Sequence, residues 1–233
     1  MQQHESHKVS KVIPMTADNE LQQSVLDELR EEPSLDAAHI GITADKGVVT
    51  LTGSVTSYAE KLIAEEAAKR VFGVRAVAND VQVQLRDGHK RTDTEIAKAA
   101  VDSLRWHSMV PDEWVKVTVD KGWVTLEGTV DWKYQKDAAD HAVRHLTGVR
   151  AVTNAIAVKP TTPLKIGEVK HRIFEAFRRN AELEARRIGI DAHENKVVLH
   201  GNVHDWSELR EAQRAAWSAP GVAEVENRLV VVP

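Results

Sequence analysis

Few side chains in this 233-residue sequence stand at spacings that could do chemistry. His141 and His145 lie four residues apart, the interval at which a helix offers two imidazoles to one metal ion. No third ligand accompanies them. His193, His200 and His204 cluster further on, but His193-Glu194-Asn195-Lys196-Val197 places valine where a helical zinc-protease motif needs its second histidine. With no cysteine, disulfides, thiolate metal sites and thiol nucleophiles are excluded. No phosphate loop, nucleophile elbow or dinucleotide fingerprint occurs, and no carboxylate recurs in a setting that would bury it. The reading is therefore non-catalytic, with no metal and no cofactor. The remaining candidates are aromatic: six tryptophans, four of them between 106 and 132. An exposed indole suits a membrane interface or a protein contact, because it joins an apolar ring to one N–H donor.

What positions these residues is an internal repeat. GVVTLTGSV starts at Gly47, GWVTLEGTV at Gly122 and NKVVLHGNV at Asn195. The shared glycines are Gly53, Gly128 and Gly201. Each is followed at fixed offsets by a glycine-valine step at Gly73, Gly148 and Gly221, and then by Asn79, Asn154 and Asn227. Around these markers the pattern repeats as well. Leu21, Val25, Leu26 and Leu29 form a helical stripe, matched by Ile96, Ala100, Val101 and Leu104 and by Val169, Ile173, Phe174 and Phe177. Ile40 and Ile42, Val115 and Val117, and Ile188 and Ile190 alternate as a half-buried strand does. A turn then leads to a second strand carrying Val49 and Leu51, Val124 and Leu126, and Val198 and Leu199. Gly47, Gly122 and Asn195 share the turn position, where positive φ is expected. An alanine-rich second helix ends at the glycine-valine step, and a last strand runs through Val77, Val81 and Val83 and their counterparts.

The fold class is thus α+β: three tandem α-β-β-α-β domains, each a three-stranded mixed sheet with two helices on one face. The boundaries are 18–86, 93–159 and 166–233, after a flexible N-terminal segment at 1–17. Units of this size stand near the lower limit of independent stability, so packing between repeats is expected.

These residues resemble the BON domain family. The resemblance rests on Gly53-Ser54-Val55, Gly128-Thr129-Val130 and Gly201-Asn202-Val203, each followed by the alanine-rich helix and the GV-x-x-V-x-N pattern. It implies a non-catalytic bacterial module, transport-associated, linked to osmotic and envelope stress and to phospholipid attachment. It assigns the motif glycines and asparagines a structural role. Family members are usually exported, whereas no apolar signal region is visible in 1–20. The compartment is cytoplasmic as written and periplasmic if an export signal has been removed.

Because the repeats sample one design three times, each copy reports which slots of the others meet water. Trp106 matches Glu31 and Arg179, Met109 matches Ser34 and Glu182, and Trp114 matches His39 and Arg187. Trp123 matches Val48 and Lys196, and Trp132 matches Ser57 and Asp205. Trp217 matches Lys69 and Arg144. All six are expected to face outward, with Trp114 and Trp123 on one sheet face. Together with Lys133 and Tyr134 beside Trp132, the second-repeat residues form the candidate surface for phospholipid or a protein partner, the lysines meeting headgroups. The alternative is packing between repeats or self-association of the chain. A net charge of -4, and no basic-aromatic strand pattern, exclude a nucleic-acid reading.

Overall fold

The computed structural model describes residues 17–161, 166–179 and 187–232. Residues 1–16 of the expected N-terminal segment lie outside them, as do Glu182, Glu184 and Arg186. The first repeat comprises α1 (Ala17–Glu31), β1 (Ile40–Asp45), β2 (Val48–Val55), α2 (Tyr58–Arg70), β3 (Ala76–Asn79) and β4 (Gln82–Val83). The second comprises α3 (Asp93–Trp106), β5 (Val115–Asp120), β6 (Trp123–Val130), α4 (Lys133–Arg144), β7 (Ala151–Asn154) and β8 (Ala157–Val158). The third comprises α5 (Ile166–Arg179), β9 (Ile188–His193), β10 (Lys196–Val203), α6 (Trp206–Trp217) and β11 (Glu224–Val231).

In each sheet the second strand is central. It pairs antiparallel with the first, in registers set by Ile42↔Leu51, Val117↔Leu126 and Ile190↔Leu199, and parallel with the last. The helices cover one face. Val25 and Leu29 of α1 and Ala64, Ala67 and Ala68 of α2 share a core with Val49, Leu51 and Val55. Alanines on the second helix allow that close approach. The first-helix stripe is narrower than its spacing predicts: Val101 and Phe174 are 44% and 41% exposed. Both stand five residues beyond the start of the stripe, about 1.4 turns round the helix, at the edge of the buried arc. On β10, Val197 and Leu199 share the core face, as alternation in that copy implies, and Val198 lies half-buried at the sheet's other face.

The recurrent glycines and asparagines have separate backbone reasons. A Cβ at Gly53, Gly128 or Gly201 would stand 2.0, 2.0 or 2.1 Å from the carbonyl oxygen of His39, Trp114 or Arg187, at φ of 104°, 144° and 122°. Only glycine permits that approach. Asn79 and Asn154 donate Nδ2–H to the carbonyls of Lys61 and Lys136, at 3.0 and 2.7 Å, and accept from the N–H of Val81 and Ile156 at 3.3 Å. Each thereby ties the last strand to the second helix, and the strand is interrupted there before β4 and β8 resume it. In the third repeat Asn227 accepts from Leu229 at 2.9 Å, and β11 runs unbroken. The hairpin turns correct one expectation. Positive φ falls on Lys46, Lys121 and Glu194 in every repeat, but Asn195 does not share it with Gly47 and Gly122. Asn195 instead donates to the Gly221 carbonyl at 2.7 Å. The counterpart of that carbonyl, on Gly148, is the one a Cβ at Gly122 would meet at 2.8 Å.

The repeats meet head to tail through their second helices. Tyr58, the first residue of α2, packs on the core of the second repeat, hydrogen-bonded to the Val152 backbone and near Asp140 and Arg144. Lys133, the first residue of α4, places Nζ 5.7 Å from the centroid of Trp217 in the third repeat. Trp206, the first residue of α6, donates Nε1–H to the Val74 carbonyl of the first repeat at 2.9 Å and lies under Lys69 Nζ at 5.6 Å. Arg210 pairs with Glu66 beside it at 2.9 Å. The third junction thus returns to the first repeat.

Candidate interaction surfaces of the second repeat

Trp106 ends α3 and is 88% exposed; Met109, in the loop that follows, and Trp114, just before β5, are 58% and 56% exposed. All three occupy the end of the sheet where β5 begins. Trp123 is equally exposed and lies on the outer sheet face, as strand alternation predicts, whereas Trp114 closes a 3-10 turn just before β5. Trp123 stands at the other end of the hairpin, opposite Asp120. Six residue steps along the strand separate that pair from Trp114, roughly 20 Å, and the exposed side chains between are Lys116, Thr118 and Glu127. Trp123 is also tethered, donating Nε1–H to Thr153 Oγ1 at 2.7 Å. The sequence-predicted aromatic surface is therefore divided.

A further group separates from it at the start of α4. Trp132 and Tyr134 stack with ring centroids 6.3 Å apart. Tyr134 is exposed, but Trp132 is half-buried, as is Trp217 of α6, expected to face solvent. These rings line a cleft of about 740 Å³ between the second and third repeats. Lys133, expected to meet headgroups, is engaged with Asp137 and with the Trp217 ring. Lys136 is half-buried, and burial followed by the neighbouring Lys133 charge pulls its ammonium below the usual range. Trp132 also occupies a helix N-cap. Its counterparts Ser57 and Asp205 accept from the N–H of Glu60 and Glu208 at 3.2 and 2.8 Å, whereas an indole offers no acceptor. Gln135 Oε1 compensates in part, accepting from the N–H groups of Asp131 and Trp132 at 3.1 and 3.0 Å.

The sequence profile of the BON domain matches residues 17–84, 92–160 and 167–233, spanning nearly the whole chain in three copies. The chain belongs to the BON domain family. It is 32% identical over 135 residues to osmotically-inducible protein Y of Escherichia coli K12, an alignment covering 56% of this chain and 67% of that protein. Among solved structures, CdsD, a structural protein of the type III secretion system of Chlamydia trachomatis, aligns over 92% of this chain and 93% of its own at 15% identity, with a TM-score of 0.26. The PrgH periplasmic domain aligns over 89% and 100% at 9% identity, with a TM-score of 0.21.

The BON motif residues Gly53, Gly73, Asn79 and their counterparts lie in turns, at the hairpin approach and on the last strand, where they shape the backbone; Gly128 lies directly against the Trp114 carbonyl. Of the histidines, His141 and His145 are both exposed, their ring centroids 5.1 Å apart, and burial followed by the His141 charge lowers the His145 imidazole. His200 Nε2 stands 3.2 Å from Asp191, and His204 Nδ1 3.1 Å from the buried Glu208. Among the described residues no three His, Asp or Glu side chains gather as a metal site. Burial raises the Tyr58 phenol, against the Val152 hydrogen bond. Tyr58, Trp206 and Lys69 are contacts between repeats that patterning alone did not single out. Their signal is alignment of the first helical residue across BON repeats, which reads Tyr58, Lys133, Trp206. Phe72 in the first repeat, 76% exposed, lies outside the second-repeat groups altogether.

Proposed function

We propose that this BON protein is a non-catalytic module of the osmotic and envelope stress response that attaches peripherally to a phospholipid surface through its second repeat. Relatedness to osmotically-inducible protein Y supports the stress assignment. The observation that carries the attachment is the exposed trio Trp106, Met109 and Trp114 at one end of the second sheet. Fully burying one large apolar side chain contributes about 1.5–3 kcal/mol, so partial insertion of three gives reversible binding. The exposed cations Arg105 and Lys116 are accompanied by exposed Asp102 and Glu113. Apolar insertion, not headgroup pairing, is then the driving term, and attachment depends little on salt. Peripheral contact suits a chain in which no described helix is long and apolar enough to cross a bilayer.

Co-sedimentation with phosphatidylglycerol–phosphatidylcholine vesicles tests this reading. Trp106→Ala combined with Met109→Ala should abolish pelleting, while Trp123→Ala should not affect it. Unchanged pelleting of the double variant removes the trio from the mechanism. Trp123, at the far end of the sheet, favours a second reading, in which that face meets a protein partner or another copy. Light scattering across micromolar concentrations decides the self-association branch, which a strict monomer eliminates.

A further inference from the structure

The three junctions between repeats follow one plan, and the second-to-third junction departs from it. At the first-to-second junction the leading residue of the second helix is Tyr58, and at the third-to-first it is Trp206. Each inserts a planar ring bearing one hydrogen-bonding atom: the Tyr58 phenol meets the Val152 backbone, and the Trp206 indole the Val74 carbonyl. Facing them, twelve residues into the neighbouring second helix, are cations, Arg144 and Lys69. At the second-to-third junction the polarity is exchanged. The leading residue is Lys133, and the facing residue is Trp217. A lysine stem is slimmer than a ring, and this junction retains the cleft of about 740 Å³. That volume lies within the range of small-molecule sites, which occur preferentially between domains.

The walls indicate what fits. Trp132 and Tyr134 stack on one side and Trp217 stands on the other, so the cleft presents aromatic faces from two repeats. Its charged lining residues are Lys133, Arg214 and Asp137, and each cation has one carboxylate beside it, Asp137 for Lys133 and Glu211 for Arg214. Lys133 has three N–H donors and engages Asp137 with one; Arg214 has five and pairs with Glu211. Both retain donors for a ligand. We propose that this cleft binds a small planar aromatic monoanion, an aryl or indolyl carboxylate. Its ring takes the place that Tyr58 and Trp206 fill at the sister junctions, and its carboxylate meets Lys133 and Arg214. The site is separate from the Trp106 end of the repeat and does not depend on membrane attachment.

The probe is indole-3-acetate added at millimolar concentration to the full chain, followed by NMR of the six tryptophan indole N–H signals. Saturable shifts are expected at Trp132 and Trp217, with Trp106 and Trp114 unmoved. Tryptamine, which has the ring but a positive charge, should bind at least about tenfold more weakly, the ratio that one charge-assisted hydrogen bond supplies, and cyclohexanecarboxylate, which has the anion but no aromatic face, about two- to tenfold more weakly, the ratio that one ring stack supplies. Lys133→Met should weaken indole-3-acetate by about tenfold or more on the same grounds. Lys133→Trp supplies the leading ring that the sister junctions carry, here against Trp217; it should abolish binding without lowering the melting temperature, which shows that the loss is occupancy and not unfolding. Absence of saturable shifts at Trp132 and Trp217 overturns the proposal. So do equal shifts at Trp106 and Trp114, or undiminished binding by a folded Lys133→Trp variant.

Discussion

Replacing Trp206 by phenylalanine keeps an aromatic ring at the head of α6 and removes the atom that reaches the first repeat. The hydrogen bond to the Val74 carbonyl is 2.9 Å long and partly buried, and its net contribution is about 0.5–1.5 kcal/mol. The Lys69 ammonium 5.6 Å from the indole centroid adds about 0.5–1 kcal/mol, part of which a phenyl ring keeps. The expected loss is therefore about 1–2 kcal/mol from the third-to-first junction, or roughly a tenfold rise in its opening constant. Because the junction joins two repeats, the loss should register in the one that carries no substitution. Hydrogen exchange is the assay. Amides of β3, which follows Val74, should exchange roughly tenfold faster, while those of β7 in the second repeat keep their wild-type rates. A double-mutant cycle with Lys69→Met isolates the ring contact, with a coupling near 0.5 kcal/mol. If β3 protection is unchanged while the third repeat alone responds, the head-to-tail closure is wrong and the reasoning fails with it.

Gly128→Ala places a Cβ 2.0 Å from the Trp114 carbonyl at a φ of 144°. It should destabilise the second repeat by about 3 kcal/mol or more, so that denaturant unfolding gains a separate early step; Gly88→Ala, with nothing within 4 Å, should leave the midpoint in place. Asn154→Ala strands the Ile156 N–H and cuts the tie to the Lys136 carbonyl, and should cost about 1–3 kcal/mol in urea unfolding, with Asn154→Asp falling between it and wild type. Lys196, then Arg228, lower the Glu226 carboxyl from its ordinary 4.5 to about 2. Since the folded value is the depressed one, its contribution is complete above about pH 4.5 and is lost as pH falls toward 2. Glu226→Gln should remove that part of the acid dependence of stability, and an NMR titration of Glu226 with a midpoint near 4.5 would contradict the pairing.

Much of each repeat was legible because its determinants are local. The buried faces of α1 and α3 follow helical spacing, and the outward placement of Trp123 follows strand alternation. Gly53, Gly128 and Gly201 recur because a backbone approach within a single hairpin admits no Cβ at all. Recurrence also marked Asn79 and Asn154, but their work, binding a helix carbonyl eighteen residues upstream, required the helix to be laid across the sheet. Trp132 and Trp217 were misplaced by a sound comparison of copies. Their sister residues are polar, yet equivalent slots in a head-to-tail arrangement face different neighbours, and here those two slots border the same cleft. Likewise Trp114 and Trp123 form no common patch, since hairpin register sets them at opposite ends. Periodicity and alternation belong to one element and are written in its own residues. Which repeat meets which depends on the rigid placement of whole domains, governed by contacts as distant in sequence as Trp206 and Val74.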